Sequence, residues 1–326
     1  MSLVVGYHIL FITLYFKYLV SAHNYKNFEK MKKPKLLITL GCSLTEGVGC
    51  YDYSLLKGKD DLKRFIEVEG DDIINKVHLS NDKKLIESMN SFWRANLERF
   101  HFYGWPPLLA KKLKYDKVIN LGLGGASTSG NLKSFIEKYN DVDLSKWDVL
   151  ILWHLPEPTR FSFYIDYTIK DYFLHHQNSK LGESLFNEMD YPFAAALLEQ
   201  IYHIKLMENI CKANGYNFLW LATSTEVQKD LLKLHPTNNA LKPIYNLYNF
   251  EILVGPVKHK EYFSSICKHP NEKGYEIIAD RFFNLIKSNH PHLLGDSETL
   301  ESIWNGKPIT HSGKFIEDEV RHTTIF

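Results

Sequence analysis

The sequence predicts an α/β protein: a three-layer α/β/α sandwich around a central, mostly parallel sheet of about five strands. Short segments that are apolar throughout alternate with longer segments whose apolar residues recur at helical spacing. Strands without polar alternation are typical of a parallel sheet covered by helices on both faces. Hydrophobic residues make up 44% of the 326 residues, enough to bury a core of this size. We expect the flavodoxin-like arrangement of such sheets.

Five segments are predicted to form the strands. Each is a short apolar run, and the first ends directly before Gly41, as expected of a buried strand that enters a turn. The predicted strands are residues 35–40 (KLLITL), 117–121 (KVINL), 147–153 (WDVLILW), 217–222 (NFLWLA) and 250–254 (FEILV).

The ends of three helices are marked in the sequence. Pro106 and Pro107 stand in the first turn of a helix that continues through LLAKKL. Residues 192–214 begin with proline and are followed by Gly215, a helix C-cap signal. Residues 273–288 carry an apolar stripe at helical spacing and are predicted to form the last helix.

One domain, residues 31–295, is predicted to contain all of these elements. Residues 51–101 are polar and charged, and their second half has helical apolar spacing. They are interpreted as a helical insertion, without a core of its own, whose aromatic residues would shape a substrate pocket. Residues 296–326 are mostly polar and are predicted to form a C-terminal tail.

The first 30 residues form a hydrophobic leader that allows three interpretations. Residues 3–22 approach the length of about 20 residues that a membrane-spanning helix needs. Residues 20–22 (VSA) resemble a signal-peptide cleavage site, although no basic segment precedes the apolar run. Met31 would equally serve as a natural start, which makes the leader an upstream extension. Membrane association is expected only through residues 3–22, and a cytoplasmic location only if translation starts at Met31.

The charge balance and the cysteines narrow the expected partners. The chain has 39 Lys and Arg residues against 38 Asp and Glu residues, a net charge of +1, so no basic surface predicts a nucleic-acid partner. The four cysteines show no metal-ligand spacing and are predicted to be reduced thiols. A neutral or weakly charged small substrate fits this charge balance better, and no metal or organic cofactor is implied.

Ser43 is the first candidate catalytic residue. It follows the first predicted strand in LLITLGCSLTEG, and open α/β sheets bind ligands at the carboxyl ends of their strands. Ser43 would also open the next helix, whose amides favour a developing oxyanion. The alternative is that Ser43 is only a helix N-cap.

His269 and a glycine-rich turn are the other candidates. His269 lies in KHPNEKGYEIIADRF, before the last helix, where it would reach a nucleophile as a general base, unless it is an ordinary surface histidine. Residues 120–128 (NLGLGGAST) are a strand and a turn whose backbone amides would suit an oxyanion hole. A dinucleotide-binding fingerprint is less well matched, because Ser127 stands where the third glycine is expected.

Together these segments resemble the SGNH/GDSL hydrolase superfamily, in a divergent form similar to viral and phage-encoded members. Residues 41–45 (GCSLT) resemble its first block, with Cys42 in place of the usual aspartate. Residues 120–128 resemble the second block, in which Gly125 matches the glycine whose amide serves the oxyanion hole. Residues 269–275 (HPNEKGY) are similar to the last block. The resemblance implies Ser43 as nucleophile and His269 as base.

Two departures from the family pattern concern the remaining site residues. The family has an aspartate three residues before the histidine, where this chain has Ile266. His269 would then be oriented by a backbone carbonyl, by Glu261 as the nearest upstream acid, or by an acid from elsewhere. The third block normally supplies an oxyanion-donating asparagine, and here only His154 is available as a substitute donor.

The resemblance therefore implies a serine esterase that hydrolyses an oxygen ester by a Ser–His dyad. Acetyl groups on a glycan are the first expectation for its substrate, by family analogy. Two alternatives stay open: a catalytically impaired domain of the same fold that binds a glycan or a partner, and an acyltransferase that uses the same dyad.

Overall fold

The computed structural model describes residues 32–70, 73–158, 160–165, 168–173, 193–246, 251–252, 259–264, 266–267 and 269–303. From Lys35 onward they belong to one compact unit. The predicted hydrophobic leader, residues 1–30, and residues 304–326 lie outside the described ranges. Within those ranges, no helix is both long and apolar enough to cross a bilayer.

The described strands are, in chain order, β1 (Lys35–Leu40), β2 (Lys117–Asn120), β3 (Asp148–His154), β4 (Arg160–Ile165), β5 (Thr168–Phe173), β6 (Asn217–Leu221), β7 (Tyr245–Asn246), β8 (Glu251–Ile252) and β9 (Glu301–Ile303). The described helices are α1 (Ser43–Glu46), α2 (Asp60–Glu69), α3 (Ile73–Leu79), α4 (Lys83–Tyr103), α5 (Trp105–Lys112), α6 (Thr128–Asp141), α7 (Phe193–Asn214), α8 (Thr225–Leu234) and α9 (Glu272–Asn289).

A five-stranded parallel sheet forms the middle layer, in the order β6-β3-β1-β2-β9. The central strand β1 pairs on both sides, so that Leu37 lies opposite Val118 of β2 and Leu150 of β3. All six residues of β1 are buried, as the continuous apolar run KLLITL predicts for a strand with helices on both faces.

Neighbouring residues of one strand belong to two separate cores. Leu37 and Leu150 belong to a core with helices α2 to α5 and α9. Leu36 and Ile151 belong to a core with helices α6, α7 and α8. Because successive side chains of a strand point to opposite faces, the two cores lie on opposite sides of the sheet. The predicted three-layer α/β/α architecture is confirmed.

The fifth strand is not the one that the sequence predicts. Of the predicted strand 250–254 the structure describes Glu251 and Ile252, which form β8 and pair antiparallel with β7 instead of joining the main sheet. The fifth strand is β9, inside the predicted polar tail of residues 296–326, so the sheet extends beyond residue 295. An edge strand pairs on one side only, so the short polar sequence ESI is sufficient there.

The strand order determines where a ligand can bind. The order β2-β1-β3-β6 is the flavodoxin-like 2-1-3-4 pattern, but β9 lies beside β2, at the edge opposite to the fifth strand of flavodoxin. The order reverses between β1 and β3, and open α/β sheets form their ligand crevice outside the carboxyl ends of the strands at such a point. The residues after β1 therefore occupy the expected binding position.

The segment predicted as a helical insertion contains α2, α3 and most of α4. Its buried residues, such as Leu62 and Met89, belong to the same core as Leu37 of the sheet, so they add no separate core. Phe92 and Phe100 are fully buried and pack on Tyr51, with ring centroids 5.4 Å and 5.1 Å away. These two rings stabilise the insertion and are not available to line a substrate pocket.

Candidate active site

Ser43 lies in a tight turn at the carboxyl end of β1. Gly41 makes this turn possible, because a Cβ at that position would lie 2.1 Å from Thr45 Oγ1 and 2.8 Å from the His154 carbonyl oxygen. Ser43 begins α1 and is 7% exposed. The amides of Thr45 and Glu46 both donate to the Cys42 carbonyl, which fixes the backbone around the serine.

The helix that Ser43 was predicted to open is a single turn. It covers four residues and ends at Gly47, whose φ of 98° is in the left-handed region. Cys42 occupies the N-cap position and makes no side-chain capping bond. Since so short a helix has a negligible dipole, any stabilisation of an oxyanion has to come from individual amides and side chains.

His269 lies in the loop before α9, as the sequence predicts. Asn271 caps the helix by accepting from the Gly274 amide, 3.1 Å away. The Asn271 amide donates to the Tyr262 carbonyl at 2.9 Å, and the Ser264 amide donates to the His269 carbonyl at 2.8 Å. These bonds on both sides of His269 hold the loop against the preceding chain.

The structure brings Ser43 and His269 together. His269 Nε2 lies 2.7 Å from Ser43 Oγ, and His269 Nδ1 lies 3.0 Å from the Cys267 carbonyl oxygen. Because a carbonyl oxygen can only accept, Nδ1 carries the proton and Nε2 presents its lone pair to the serine hydroxyl. His269 is 5% exposed, so the pair is shielded from most of the solvent.

Two contacts hold the Ser43 turn, residues 41–49, against the loop that carries His269. A Cβ at Gly49 would lie 2.2 Å from the Pro270 carbonyl oxygen and 3.2 Å from His269 Cβ. The Tyr275 hydroxyl, on α9, donates to the Val48 carbonyl at 2.7 Å inside the core. The separation of 226 residues between Ser43 and His269 is therefore bridged by backbone contacts within a few residues of each.

Glu261, named from the sequence as a candidate orienting acid, is exposed. Its carboxylate accepts a hydrogen bond from the Tyr262 hydroxyl, which raises the pKa of that tyrosine. Its backbone carbonyl accepts from Asn271 Nδ2 at 2.8 Å. Of the orienting groups that the sequence leaves open, the backbone carbonyl of Cys267 is the one that lies at His269 Nδ1.

The glycine-rich turn after β2, residues 122–125, packs directly on the turn that carries Ser43. A Cβ at Gly122 would lie 2.4 Å from the Glu46 amide nitrogen, so glycine alone permits this approach. Asn120 joins the two turns: its Nδ2 donates to the Thr45 carbonyl at 2.9 Å, and its Oδ1 accepts from the Gly122 amide at 2.9 Å. Asn131, on α6, donates from Nδ2 to the Gly41 carbonyl at 3.1 Å.

Gly124 and Gly125 lie at the tip of this turn. A Cβ at Gly124 would be 3.8 Å from Ser43 Cβ, so the turn backbone passes beside the serine. The Gly124 amide donates to Glu46 Oε2 at 2.6 Å. Gly125, the predicted oxyanion donor, has φ of 80°, and apart from its chain neighbours no atom of the described residues lies within 4 Å of its ideal Cβ position.

His154, the other candidate oxyanion donor, ends β3 and is 3% exposed. Neither ring nitrogen has a hydrogen-bond partner among the described residues. Burial, with a smaller contribution from the Arg160 cation, lowers the pKa of His154 to about 4. The ring is therefore neutral near pH 7 and has one N–H to donate.

The described residues contain no group of three His, Cys, Asp or Glu side chains arranged to hold a metal ion. The four cysteines, which the sequence predicts to be reduced, are buried and form no disulfide within the described part of the chain. Cys42 is fully buried and packs with Leu37 and Leu44 in the core, so its thiol lies away from solvent although it adjoins Ser43 in the chain.

Glu46, Asn120 and Asn271 make contacts at the site that the sequence patterns did not predict. Glu46 was detectable as the one acid in the apolar stretch after β1, one helical turn beyond Ser43. Asn271 was detectable as an N-cap residue directly before the last predicted helix. The ion pair of Arg99 and Glu272, which joins α4 to the first residue of α9, has no signal in a single sequence.

Three solved structures resemble the chain at low similarity. A protein described as a lipolytic member of the G-D-S-L family, from Desulfitobacterium hafniense, is 13% identical with a TM-score of 0.37, covering 77% of this chain and 99% of its own. A carbohydrate esterase, whose active site displays divergent catalytic and non-catalytic binding functions, is 14% identical with a TM-score of 0.40. The match covers 81% of this chain and 68% of the esterase chain. A protein described as an acylhydrolase, from Bacteroides fragilis, is 12% identical with a TM-score of 0.32. The match covers 82% of this chain and 94% of the acylhydrolase chain.

No protein-family model matches the chain. No curated protein matches it either. At the identities and TM-scores of the three solved structures, their activities are properties of those proteins, and the function of this chain has to be argued from its own site.

Proposed function

We propose that this chain is a serine ester hydrolase of the SGNH/GDSL type, with Ser43 as the nucleophile and His269 as the general base. One observation carries the proposal: the 2.7 Å hydrogen bond between Ser43 Oγ and His269 Nε2, in a tautomer that can accept the serine proton. The position of Ser43 supports it, because the serine follows the central strand where the strand order reverses.

The reaction would proceed through an acyl-enzyme. Ser43 Oγ attacks the ester carbonyl carbon while His269 Nε2 takes the hydroxyl proton, which gives a tetrahedral oxyanion. Collapse of this intermediate breaks the bond to the alcohol oxygen, and His269 returns the proton to the leaving alcohol. Water then attacks the acyl-serine with His269 again as base, and the acid is released.

The oxyanion would be stabilised by amides of the Ser43 turn and the glycine-rich turn. We assign this role to the amides of Ser43 and Gly125, with the neutral His154 ring as a further donor. The left-handed backbone of Gly125, with no described atom near its Cβ position apart from its chain neighbours, supports the assignment. In enzymes of known mechanism, removal of one such donor costs about 10²–10³ in kcat.

The dyad would work with a backbone carbonyl in place of the usual acid. A carbonyl at Nδ1 fixes the tautomer and the ring orientation, but it carries no charge to stabilise the imidazolium. We therefore expect slower turnover than in a complete triad. Acetyl groups on a glycan remain our proposed substrate by family resemblance.

The experiment is hydrolysis of p-nitrophenyl acetate and butyrate by the full chain, by Ser43→Ala, and by Ser54→Ala as a matched control at an exposed serine. Turnover that is lost in Ser43→Ala and retained in Ser54→Ala supports the proposal. Equal rates in all three folded proteins, or no turnover in any, would contradict it and favour the binding-domain alternative. Transfer of the acyl group to an added sugar alcohol faster than to water would identify an acyltransferase, since any acyl-enzyme gives some ester with an alcohol.

A further inference from the structure

Glu46 is a buried acid that the proposed reaction does not use. It is 4% exposed, and the amide of the same residue is held by the Cys42 carbonyl at 3.0 Å. Glu46 and Ser43 are three residues apart in one helical turn, a spacing that puts their side chains on the same side. Burial of a carboxylate is unfavourable unless it is hydrogen-bonded, so Glu46 is expected to have a hydrogen-bond partner at this site.

The partner of Glu46 is the turn that carries the candidate oxyanion donor. Glu46 Oε2 accepts from the Gly124 amide at 2.6 Å, and an ideal Cβ on Gly124 would lie 3.8 Å from Ser43 Cβ. Gly125, the next residue, is the candidate donor to the oxyanion. The carboxyl group therefore fixes the peptide unit directly before that donor.

The same turn is held at its other end by an uncharged side chain. Asn120 Oδ1 accepts from the Gly122 amide at 2.9 Å, and the ideal Cβ of Gly122 would lie 2.4 Å from the Glu46 nitrogen. Asn120, at the end of β2, thus binds the Gly122 amide, and Glu46, in the turn after β1, binds the Gly124 amide. Without Glu46, the turn would keep its attachments at Gly122 and at Leu123, whose amide donates to the Gly41 carbonyl at 3.1 Å, but the Gly124 amide would lose this acceptor.

The Glu46 hydrogen bond acts against a large burial cost. Burial raises the pKa of Glu46 to about 7, and the bond from the Gly124 amide opposes that rise. Glutamine would accept from the Gly124 amide through its side-chain carbonyl without this cost. The position therefore tests hydrogen-bond acceptance separately from charge.

We infer that Glu46 is a positioning residue, whose hydrogen bond to the Gly124 amide holds the 122–125 turn so that the Gly125 amide faces the oxyanion formed at Ser43. This inference rests on the proposed function. The turn acts on the transition state, so its displacement lowers kcat and leaves KM nearly unchanged.

The test compares Glu46→Gln, which keeps the acceptor, with Glu46→Met, which has a similar length and none. We expect kcat for p-nitrophenyl acetate to fall about 10-fold or more in Glu46→Met, with KM changed less than about twofold, and to fall no more than about threefold in Glu46→Gln. A kcat in Glu46→Met within threefold of wild type, or an equal loss in both variants, would overturn the inference.

Amide hydrogen exchange measured on the same three proteins does not depend on turnover. We expect faster exchange at the Gly124 amide in Glu46→Met than in wild type or Glu46→Gln, while the Gly122 amide, held by Asn120, stays protected. Equal exchange in all three would overturn the inference. Failure of the proposed function is recognised separately, as turnover that does not depend on Ser43.

Discussion

At the residue scale, the site is determined by a few side chains whose hydrogen bonds leave little freedom. The His269 ring is fixed at both nitrogens, at 2.7 Å from Ser43 and 3.0 Å from the Cys267 carbonyl. The Cys267 carbonyl determines that Nδ1 carries the proton. In this arrangement the lone pair of His269 Nε2 faces the Ser43 hydroxyl.

We predict that Glu261→Gln retains esterase activity within about threefold of wild type. Glu261 is exposed and its carboxylate is hydrogen-bonded to Tyr262, whereas loss of a triad acid costs about 10⁴ in kcat. The measurement is kcat/KM for p-nitrophenyl acetate. A loss of several hundredfold would mean that Glu261 orients His269 during turnover and that the Cys267 carbonyl is insufficient.

Glu46 also makes stability depend on pH. Its pKa rises from an ordinary 4.5 to about 7 in the folded protein, so the folded state binds this proton more tightly than the unfolded state. The associated stability is fully present below pH 4.5 and is lost as pH rises through 7, by about 3 kcal/mol in total.

We therefore expect the free energy of unfolding of Glu46→Gln, measured relative to wild type in urea, to increase between pH 5 and pH 8. The glutamine has no proton to lose, so the difference arises from the wild-type protein. Parallel pH profiles for the two proteins would show that the buried carboxyl does not titrate in this range.

At the element scale, the site depends on two loops that meet through backbone contacts. The turn after β1 and the loop before α9 touch at Gly49 and Pro270, and the Tyr275 hydroxyl fixes the same turn from inside the core. Since α9 also packs on α5 and on the shared core, the position of His269 is set by the whole helix layer on that face.

We predict that Gly49→Ala lowers kcat/KM by at least about 100-fold, because a displacement of about 1 Å at a reacting pair has that effect. The new Cβ would lie 2.2 Å from the Pro270 carbonyl oxygen, and φ of 117° is unfavourable for alanine. Gly58→Ala is the matched control: its φ is 79°, but nothing lies within 4 Å of the new Cβ. Equal activities of the two variants would argue against contact between the loops.

The sequence predicted those elements whose signal is local. β1, β2, β3 and β6 are apolar runs, α5 has prolines in its first turn, and α9 has an apolar stripe at helical spacing, so their bounds agree with the structure within one or two residues. The dyad residues Ser43 and His269 were identified because each stands at a strand end or before a helix. Gly49 and Glu46 were not, because their role is a contact with a segment that is distant in the chain.

At the scale of the whole molecule, the chain builds one sheet from segments at both ends of its described part. β9, almost at the end, pairs with β2, and before it the Gly295 and Ser297 amides donate to the Leu113 and Lys114 carbonyls at 2.8 Å and 3.0 Å. The sequence does not predict this pairing, because the segment ESI has neither the length nor the apolar content of a predicted strand.

We predict that a chain ending at Gly295 unfolds at a temperature about 3–10 °C lower than a chain ending at Ile303. The shorter chain loses the β9 hydrogen bonds to β2, each worth about 1 kcal/mol. Esterase activity at 25 °C is expected to be the same in both, since β9 is separated from β1 by β2. Identical unfolding temperatures would show that this edge strand contributes nothing to stability.

The most direct test of the central claim is the mass of the protein after reaction with a fluorophosphonate, which phosphonylates an activated serine with loss of fluoride. We predict one adduct on wild type, mapped by peptide sequencing to Ser43, and labelling slowed by about 10³ or more in His269→Ala. Labelling at another residue, or equal labelling of folded wild type and His269→Ala, would contradict the account of Ser43 as a nucleophile activated by His269.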